Sequence, residues 1–178
     1  VEEDEIPRWI ARNFAESAAE RASQLAAMQA RAMLGFLGLS ARDYPLLDRL
    51  SAMMFDAHLR APDARGEAAA PCDRRALWPL GISGDLPVLA VHVHRKEDLP
   101  RVREAIRAHE FYRAMGLSVD LVLVNEHGND YDQPVRDALS DAIAYSHLNE
   151  LRGAPGGVHL PEGRTLTAVQ RDALHRAA

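Results

Sequence analysis

Polar side chains close two apolar runs in the second half of the sequence, and they are the residues whose types and spacing could do chemistry. The runs are Pro87–His94 and Val119–Val124. Ligands of open parallel sheets bind beyond the carboxyl ends of the strands, so the polar residues there are candidate ligand-binding groups. Their placement names no reaction, because strands also carry polar residues wherever they leave a core. The candidates are His92, His94, Arg95, Asn125 and Glu126, with His127 beside them.

Two specific chemistries can be compared with this set. His92, His94 and Glu126 have the types of a site with two histidines and one carboxylate, but histidines at strand spacing are common and nothing fixes a third ligand. A serine nucleophile needs a G-x-S-x-G elbow between a strand and a helix, and Gly81–Gly84 lacks that spacing and precedes its strand. We therefore predict no metal, no cofactor and no catalytic residue.

A glycine-rich turn precedes the first apolar run. A phosphate-binding loop follows a strand and opens a helix, whereas these glycines come before their strand. The turn could form a backbone nest for an anion, or it could simply lead the chain into the strand with a carboxylate tying down amides. The second interpretation is favoured, and it makes Gly81, Ser83, Gly84 and Asp85 structural.

Aromatic and polar residues outside the strand ends have simple interpretations. Trp78 joins the candidate ligand-binding set because an exposed indole face suits carbohydrate C–H groups, and its exposure is the deciding fact. Trp9, at the foot of a helix, is expected to pack. On the helix after the first strand, the polar residues are expected to form a solvated face; they are His109, Glu110, Tyr112 and Arg113.

Helices and strands must position these groups. Apolar residues at threes and fours predict a long amphipathic helix from Pro7 to about Phe36, stopped by Gly38, and a second helix that Ser40 caps and that ends near His58. Later strands and helices alternate, which is typical of a parallel sheet. These elements are the strands Pro87–His94, Val119–Val124 and about Gly157–Leu160, and the helices Pro100–Met115, Pro134–Leu148 and about Thr167–Ala177.

The predicted fold class is therefore α/β, an N-terminal helical hairpin followed by a small parallel sheet of about three strands with helices on its faces. The predicted divisions are residues 1–58 for the hairpin, 59–80 for a linker and 81–178 for the α/β module. Residues 59–73 carry prolines, a glycine and an alanine run without periodicity, which indicates a loop.

Composition excludes several classes of protein. The chain has 178 residues, 47% hydrophobic and 26% charged, which suits a globular protein with its own core. A net charge of −5 with dispersed basic residues argues against nucleic acid. Cys72 is the single cysteine, so no intrachain disulfide forms and a reducing compartment fits. No apolar stretch suits a membrane span, and the acidic start without methionine fits a piece of a longer protein.

An ordered set of short motifs then makes the sequence recognisable. It resembles one part of the cyclic β-1,2-glucan synthases, in the carboxy-terminal region that is similar to the inverting disaccharide phosphorylases formerly grouped as glycosyltransferase family thirty-six. The resemblance covers about Ala26 to Ala178. The motifs are Leu77-Trp78, Gly81–Pro87, Val119–Glu126, Tyr131 with Gln133-Pro134, and Gly153–Val158.

The resemblance indicates the pathway of the parent enzyme, but it does not assign a role to this segment. Such a parent enzyme builds cyclic β-1,2-glucan from UDP-glucose through a glycosyltransferase domain in the membrane, and its phosphorylase-like region trims chain length with phosphate. The phosphorylase general acid belongs to a helical barrel that this segment lacks. The resemblance places the segment between β-sandwich repeats, as an α/β insertion or linker module. One departure is the strand Ala90–His94, which carries histidines where the family is expected to have Leu-Val-Arg-Ile.

Two functions of different class follow. The first is a non-catalytic structural or interaction module, partnered by neighbouring domains of the parent enzyme on the cytoplasmic side of the bacterial inner membrane. The alternative is a carbohydrate- or sugar-phosphate-binding, or catalytic, α/β domain that uses the strand ends. An exposed apolar stripe on the first helix would favour the module, and a deep pocket lined by Trp78, His94, Asn125 and Glu126 would favour the ligand site.

Overall fold

The computed structural model describes Pro7 and residues 16–40, 42–55, 74–128 and 133–178. The chain divides into two compact units, Val1–Ala41 and Arg42–Ala178. Several sequence-based assignments lie outside the described residues: the acidic start, Trp9, the end of the second helix at His58, most of the linker with Cys72, and Tyr131.

The first unit contains one described helix, α1 (Glu16–Phe36). It ends at the predicted glycine: Gly38 takes a left-handed conformation (φ 65°), and the N–H of Leu39 then donates to the carbonyl of Leu34 at 2.8 Å. Such a glycine satisfies carbonyls that the last helical turn would otherwise leave unpaired. The predicted start of this helix at Pro7 cannot be compared with the structure, because residues 8–15 are not among the described ones.

The second unit begins with helix α2 (Tyr44–Phe55), which starts four residues after the predicted cap at Ser40. Its Leu47 is buried, and the Leu47 carbonyl accepts a hydrogen bond from the hydroxyl of Tyr112 at 3.0 Å. The hydrogen bond ties this helix to the α/β part of the unit. The pairing of the first two helices in a hairpin stays a prediction.

Three parallel strands form the sheet in the order β1 (Val88–Val93), β2 (Asp120–Asn125) and β3 (Val158–His159). In the register, β1 pairs along the whole of β2, and β3 pairs with two residues of it. The predicted α/β class with a small three-stranded parallel sheet is confirmed. The helices of this part are α3 (Leu99–Ala114), α4 (Pro134–Ala144) and α5 (Ala168–Ala177).

Helical layers cover both faces of the sheet, and the alternation of side chains along the strands explains them. Leu121 and Leu123 of β2 pack into one core with α3 and α4, while Val122 and Val124 pack into a second core with α5 and the buried Leu77. All six residues of β2 are buried, as expected for a central strand with helices on both faces. The carboxyl ends of β1 and β2 thus emerge between two layers.

Two elements differ from the sequence-based prediction. Residues Arg74–Leu80, predicted as the end of the linker, form a 3-10 helix that packs against α5 and is anchored by Leu77. Helix α4 ends at Ala144 rather than Leu148, because the Ser146 hydroxyl donates to a carbonyl of the last turn and accepts the N–H of Leu148. Within the described ranges, no helix has the length and apolar character that a membrane crossing requires.

Candidate functional site

Glu126 is the centre of the contacts at the carboxyl ends of β1 and β2. Its Oε1 atom accepts from Arg171 Nη1 at 2.6 Å and lies 3.0 Å from His92 Nδ1, and its Oε2 atom accepts from Arg171 Nη2 at 3.1 Å. The side chain is only 13% exposed. The hydrogen bond from Arg171 lowers the pKa of Glu126, aided by His92, and burial opposes the shift only partly. Glu126 is therefore a paired carboxylate held in its charged form.

Gly163 makes this close pairing possible. A Cβ atom at this position would collide with the Glu126 carboxylate and would lie 3.1 Å from the Asn125 carbonyl. The Gly163 carbonyl also accepts a hydrogen bond from Arg171 Nη2. The 3-10 turn at Gly163–Thr165 and helix α5 therefore close over the end of β2 through one carboxylate and one guanidinium.

Asn125 performs a similar joining role one residue earlier. Its Nδ2 donates to Glu162 Oε2 at 2.9 Å, and its Oδ1 accepts the N–H of His127 at 3.2 Å. Glu162 in turn lies 3.5 Å from the Arg136 guanidinium of α4. Both polar groups of the amide are thus engaged within the fold.

His94 and Arg95 lie in the turn that leaves β1. Because the strand ends at Val93, His94 does not continue the alternation that the sequence analysis assumed for it and His92. The N–H groups of His94 and Arg95 donate to Asp98 Oδ2 at 3.1 and 3.2 Å, and the His94 bond is the main cause of a lowered pKa for Asp98. Both side chains are exposed. Of the predicted strand-end residues, the structure joins His92 to Glu126, whereas Asn125 contacts Glu162 and His127 instead.

Trp78 lies in a different environment from the strand-end residues. It is 60% exposed and lines a shallow cleft with the predicted turn residues Gly81, Ser83 and Asp85. In that turn Gly81 and Gly84 have positive φ angles (79° and 77°), as a structural turn requires. The amide-binding group is the Ser83 hydroxyl, which accepts the Asp85 N–H at 3.1 Å; the Asp85 carboxylate instead pairs with Arg74 at 3.3 Å.

Buried polar residues on α3 and at the start of β2 are features that sequence reasoning missed. His109 and Tyr112, expected on a solvated face, are fully buried. His109 Nε2 lies 2.6 Å from the Val119 carbonyl, and burial lowers its pKa. Asp120 is also fully buried; its Oδ1 accepts the Gly156 N–H at 2.7 Å, and His159 Nε2 lies 3.4 Å away. The sequence signal for their burial is position alone: each is a polar residue at a place where the apolar periodicity of its helix or strand predicts a buried side chain.

Among the residues that the structure describes, no group of three or more histidine, cysteine, aspartate or glutamate side chains is arranged to hold a metal ion. The contacts observed at the strand ends are ion pairs and hydrogen bonds. The fold and these contacts define a small α/β module with a three-stranded parallel sheet.

Comparison with known proteins gives the relationship of this module. No family model matches the sequence. The chain is 37% identical over 119 residues, 67% of its length, to the cyclic beta-(1,2)-glucan synthase NdvB of Rhizobium meliloti (strain 1021). The resemblance to that class of synthase is thereby confirmed, and the chain is related to a segment of it. It spans about 4% of the length of that synthase.

Proposed function

We propose that the chain is a non-catalytic structural and interaction module of a cyclic β-(1,2)-glucan synthase, within its phosphorylase-like carboxy-terminal region on the cytoplasmic side of the membrane. The observation that carries the proposal is the pairing of Glu126. Among the described acids at the carboxyl ends of the strands, Glu126 is the least exposed at 13%, and Arg171 and His92 already occupy both of its oxygens. A general acid or base needs a free oxygen within reach of substrate.

Helix α1 supplies the interaction surface. Leu25, Met28 and Phe36 are 65%, 66% and 80% exposed and fall within one stripe of the helix, whereas Ala30 and Leu34 lie on the opposite side and are buried. A helix that is apolar on a second, exposed side is typical of a surface that another domain covers. The exposed side chains Leu25, Met28 and Phe36 are called the α1 stripe below.

The proposed partner is a neighbouring domain of the same polypeptide. The related synthase is far longer than the matched segment, so the module would contact other domains of one chain. An intramolecular partner also needs little apolar area, because the covalent connection provides a high effective concentration. The pathway of the parent, synthesis of cyclic β-1,2-glucan, belongs to this proposal.

Segment replacement tests the proposal. The related segment of the Rhizobium meliloti synthase is replaced by this chain, and cyclic glucan output is measured in membranes for three variants: Glu126→Gln, Leu25→Glu/Met28→Glu, and the control Gln24→Glu. Glu126→Gln should keep output within about twofold, because loss of a catalytic acid or base costs about 10²–10⁴-fold. The α1-stripe variant should lower output, and the control should not.

Two results would contradict the proposal. A loss of a hundredfold or more in Glu126→Gln, with the synthase still folded and inserted, would make Glu126 a catalytic group. Full output from the α1-stripe variant would remove the docking role of α1. Limited proteolysis of each variant measures folding, so that a misfolded protein is not mistaken for an inactive one.

A further inference from the structure

A shallow cleft of about 450 Å³ lies at the glycine turn, away from the strand-end contacts. The residues that line it come from the 3-10 helix and from the turn before β1. They are Arg74, Trp78, Gly81, Ile82, Ser83 and Asp85. We propose that this cleft binds a neutral saccharide, with one sugar ring stacked on the indole face of Trp78.

Trp78 is built as a rigid and exposed platform. Its indole Nε1–H donates to the Ser83 carbonyl at 3.2 Å, which fixes the ring orientation while 60% of the residue stays exposed. The neighbouring Leu77 is fully buried and anchors the same helix in the core. A rigid aromatic ring loses little conformational entropy on contact, and its face suits the C–H face of a pyranose.

The rim of the cleft supplies hydrogen-bonding groups suited to hydroxyls. Arg74 Nη1 donates to Asp85 Oδ1 at 3.3 Å, and the two side chains are 64% and 76% exposed. So exposed a pair contributes little to stability, which leaves both groups available to exchange partners with a ligand. The guanidinium then offers donors and the carboxylate offers acceptors beside the ring.

Charge balance selects a neutral ligand. Arg74 is the cation of the lining, and the Asp85 carboxylate compensates it. A sugar phosphate drawn to Arg74 would also meet the Asp85 carboxylate at short range, where like charges repel, so the attraction and the repulsion largely offset each other. The volume falls within the roughly 300–1,000 Å³ of small-molecule sites, but the cleft is shallow, so binding should be weak. This inference stands on the cleft alone and does not rest on the docking role of α1.

Nuclear magnetic resonance of the whole chain tests the inference through the indole N–H of Trp78. The probes are a panel of glucose disaccharides with β-1,2, β-1,4 and α-1,4 linkages, and glucose 1-phosphate. Trp78→Phe assigns the signal, because the chain has a second tryptophan. We expect a saturable shift of the Trp78 indole with at least one neutral disaccharide and a weaker response to glucose 1-phosphate.

Variants give the test its control. Trp78→Ala should weaken disaccharide binding roughly tenfold or more, read from backbone amides of the turn. Tyr145→Ala removes another aromatic, which is 92% exposed and does not line the cleft, and should leave binding unchanged. An unchanged spectrum with every disaccharide, equal binding in Trp78→Ala, or tighter binding of glucose 1-phosphate would each overturn the inference.

Discussion

Replacement of Glu126 by Gln removes the charge from the contact that joins β2 to α5 while preserving the shape of the side chain. Buried hydrogen bonds to charged groups contribute about 1.5–3 kcal/mol, and exposed ion pairs about 0.2–1 kcal/mol. Glu126 is 13% exposed and Arg171 is 43% exposed. An intermediate coupling of about 1 kcal/mol is therefore expected from a double-mutant cycle of Glu126→Gln with Arg171→Gln.

The direction of the pKa shift of Glu126 determines how the stabilisation changes with pH. The pKa of Glu126 is lowered below its ordinary value of 4.5 in the folded state, chiefly by the hydrogen bond from Arg171. The stabilisation is therefore fully present above pH 4.5 and is lost as the pH falls through the folded-state pKa. The free energies of unfolding of the wild type and Glu126→Gln should differ at pH 7 and converge in acid.

Urea denaturation measures the difference. With a slope of about 1–3 kcal/mol/M, a loss of about 1 kcal/mol lowers the midpoint by roughly 0.3–1 M at an unchanged slope. Asp172→Asn is the matched control, because Asp172 pairs with Arg176 at 2.9 Å on the same helix but is 60% exposed. The control should cost no more than about 0.5 kcal/mol. Equal midpoints for wild type and Glu126→Gln at pH 7, or a difference that persists undiminished at pH 3, would refute the assigned role of Glu126.

Three further perturbations have defined outcomes. Gly163→Ala should lower the free energy of unfolding by about 2 kcal/mol, because the added methyl group collides with the Glu126 carboxylate. The control Gly128→Ala places its methyl group in open space and should be nearly neutral in the same urea titration. Equal effects of the two substitutions would contradict the collision. His109 has a pKa lowered by burial, so its neutral form is favoured and stability should fall as the pH drops below about 6.5; His109→Gln should lack that part of the slope in thermal melts between pH 7 and 5. Tyr112→Phe should lower the free energy of unfolding by only about 0.5–1 kcal/mol, measured by calorimetry. The Leu47 carbonyl, which loses the Tyr112 hydroxyl, still accepts a hydrogen bond from the Ser51 hydroxyl at 2.8 Å. A loss above about 2 kcal/mol would show that Ser51 does not compensate.

The elements of the α/β part were predictable because local signals agree with the tertiary structure. The apolar runs became β1 and β2, and the helix predicted over Pro100–Met115 is α3, which ends at Ala114 just before Gly116 with its positive φ of 80°. The two-residue β3 also lies within the strand predicted at about Gly157–Leu160. Gly157 precedes it at a position where a Cβ atom would collide with the Leu151 carbonyl. A fold can be predicted from a sequence where local propensity, turn residues and core packing all indicate the same structure, as they do in this part of the chain.

The contacts of the candidate site were not predictable to the same degree. Glu126 was named from its strand-end position, but its partner Arg171 is 45 residues away on a helix, and no local pattern links the two. Trp78 was grouped with the strand ends because of its indole face, but its 3-10 helix, which has no periodic signature in the sequence, places it in a separate cleft. Ser146 shortened α4 through a side-chain bond that competes with the helix, which propensity alone does not specify.

The packing of the 3-10 helix on α5 makes the two helices depend on each other. Arg74, the first residue of the 3-10 helix, and Ala177, the last residue of α5, line one common cavity of about 260 Å³ although they are far apart in the sequence. Leu77 of the 3-10 helix shares its core with Ala173 and Leu174 of α5. Unfolding of either helix would therefore expose apolar side chains of the other to water, so the two should unfold together.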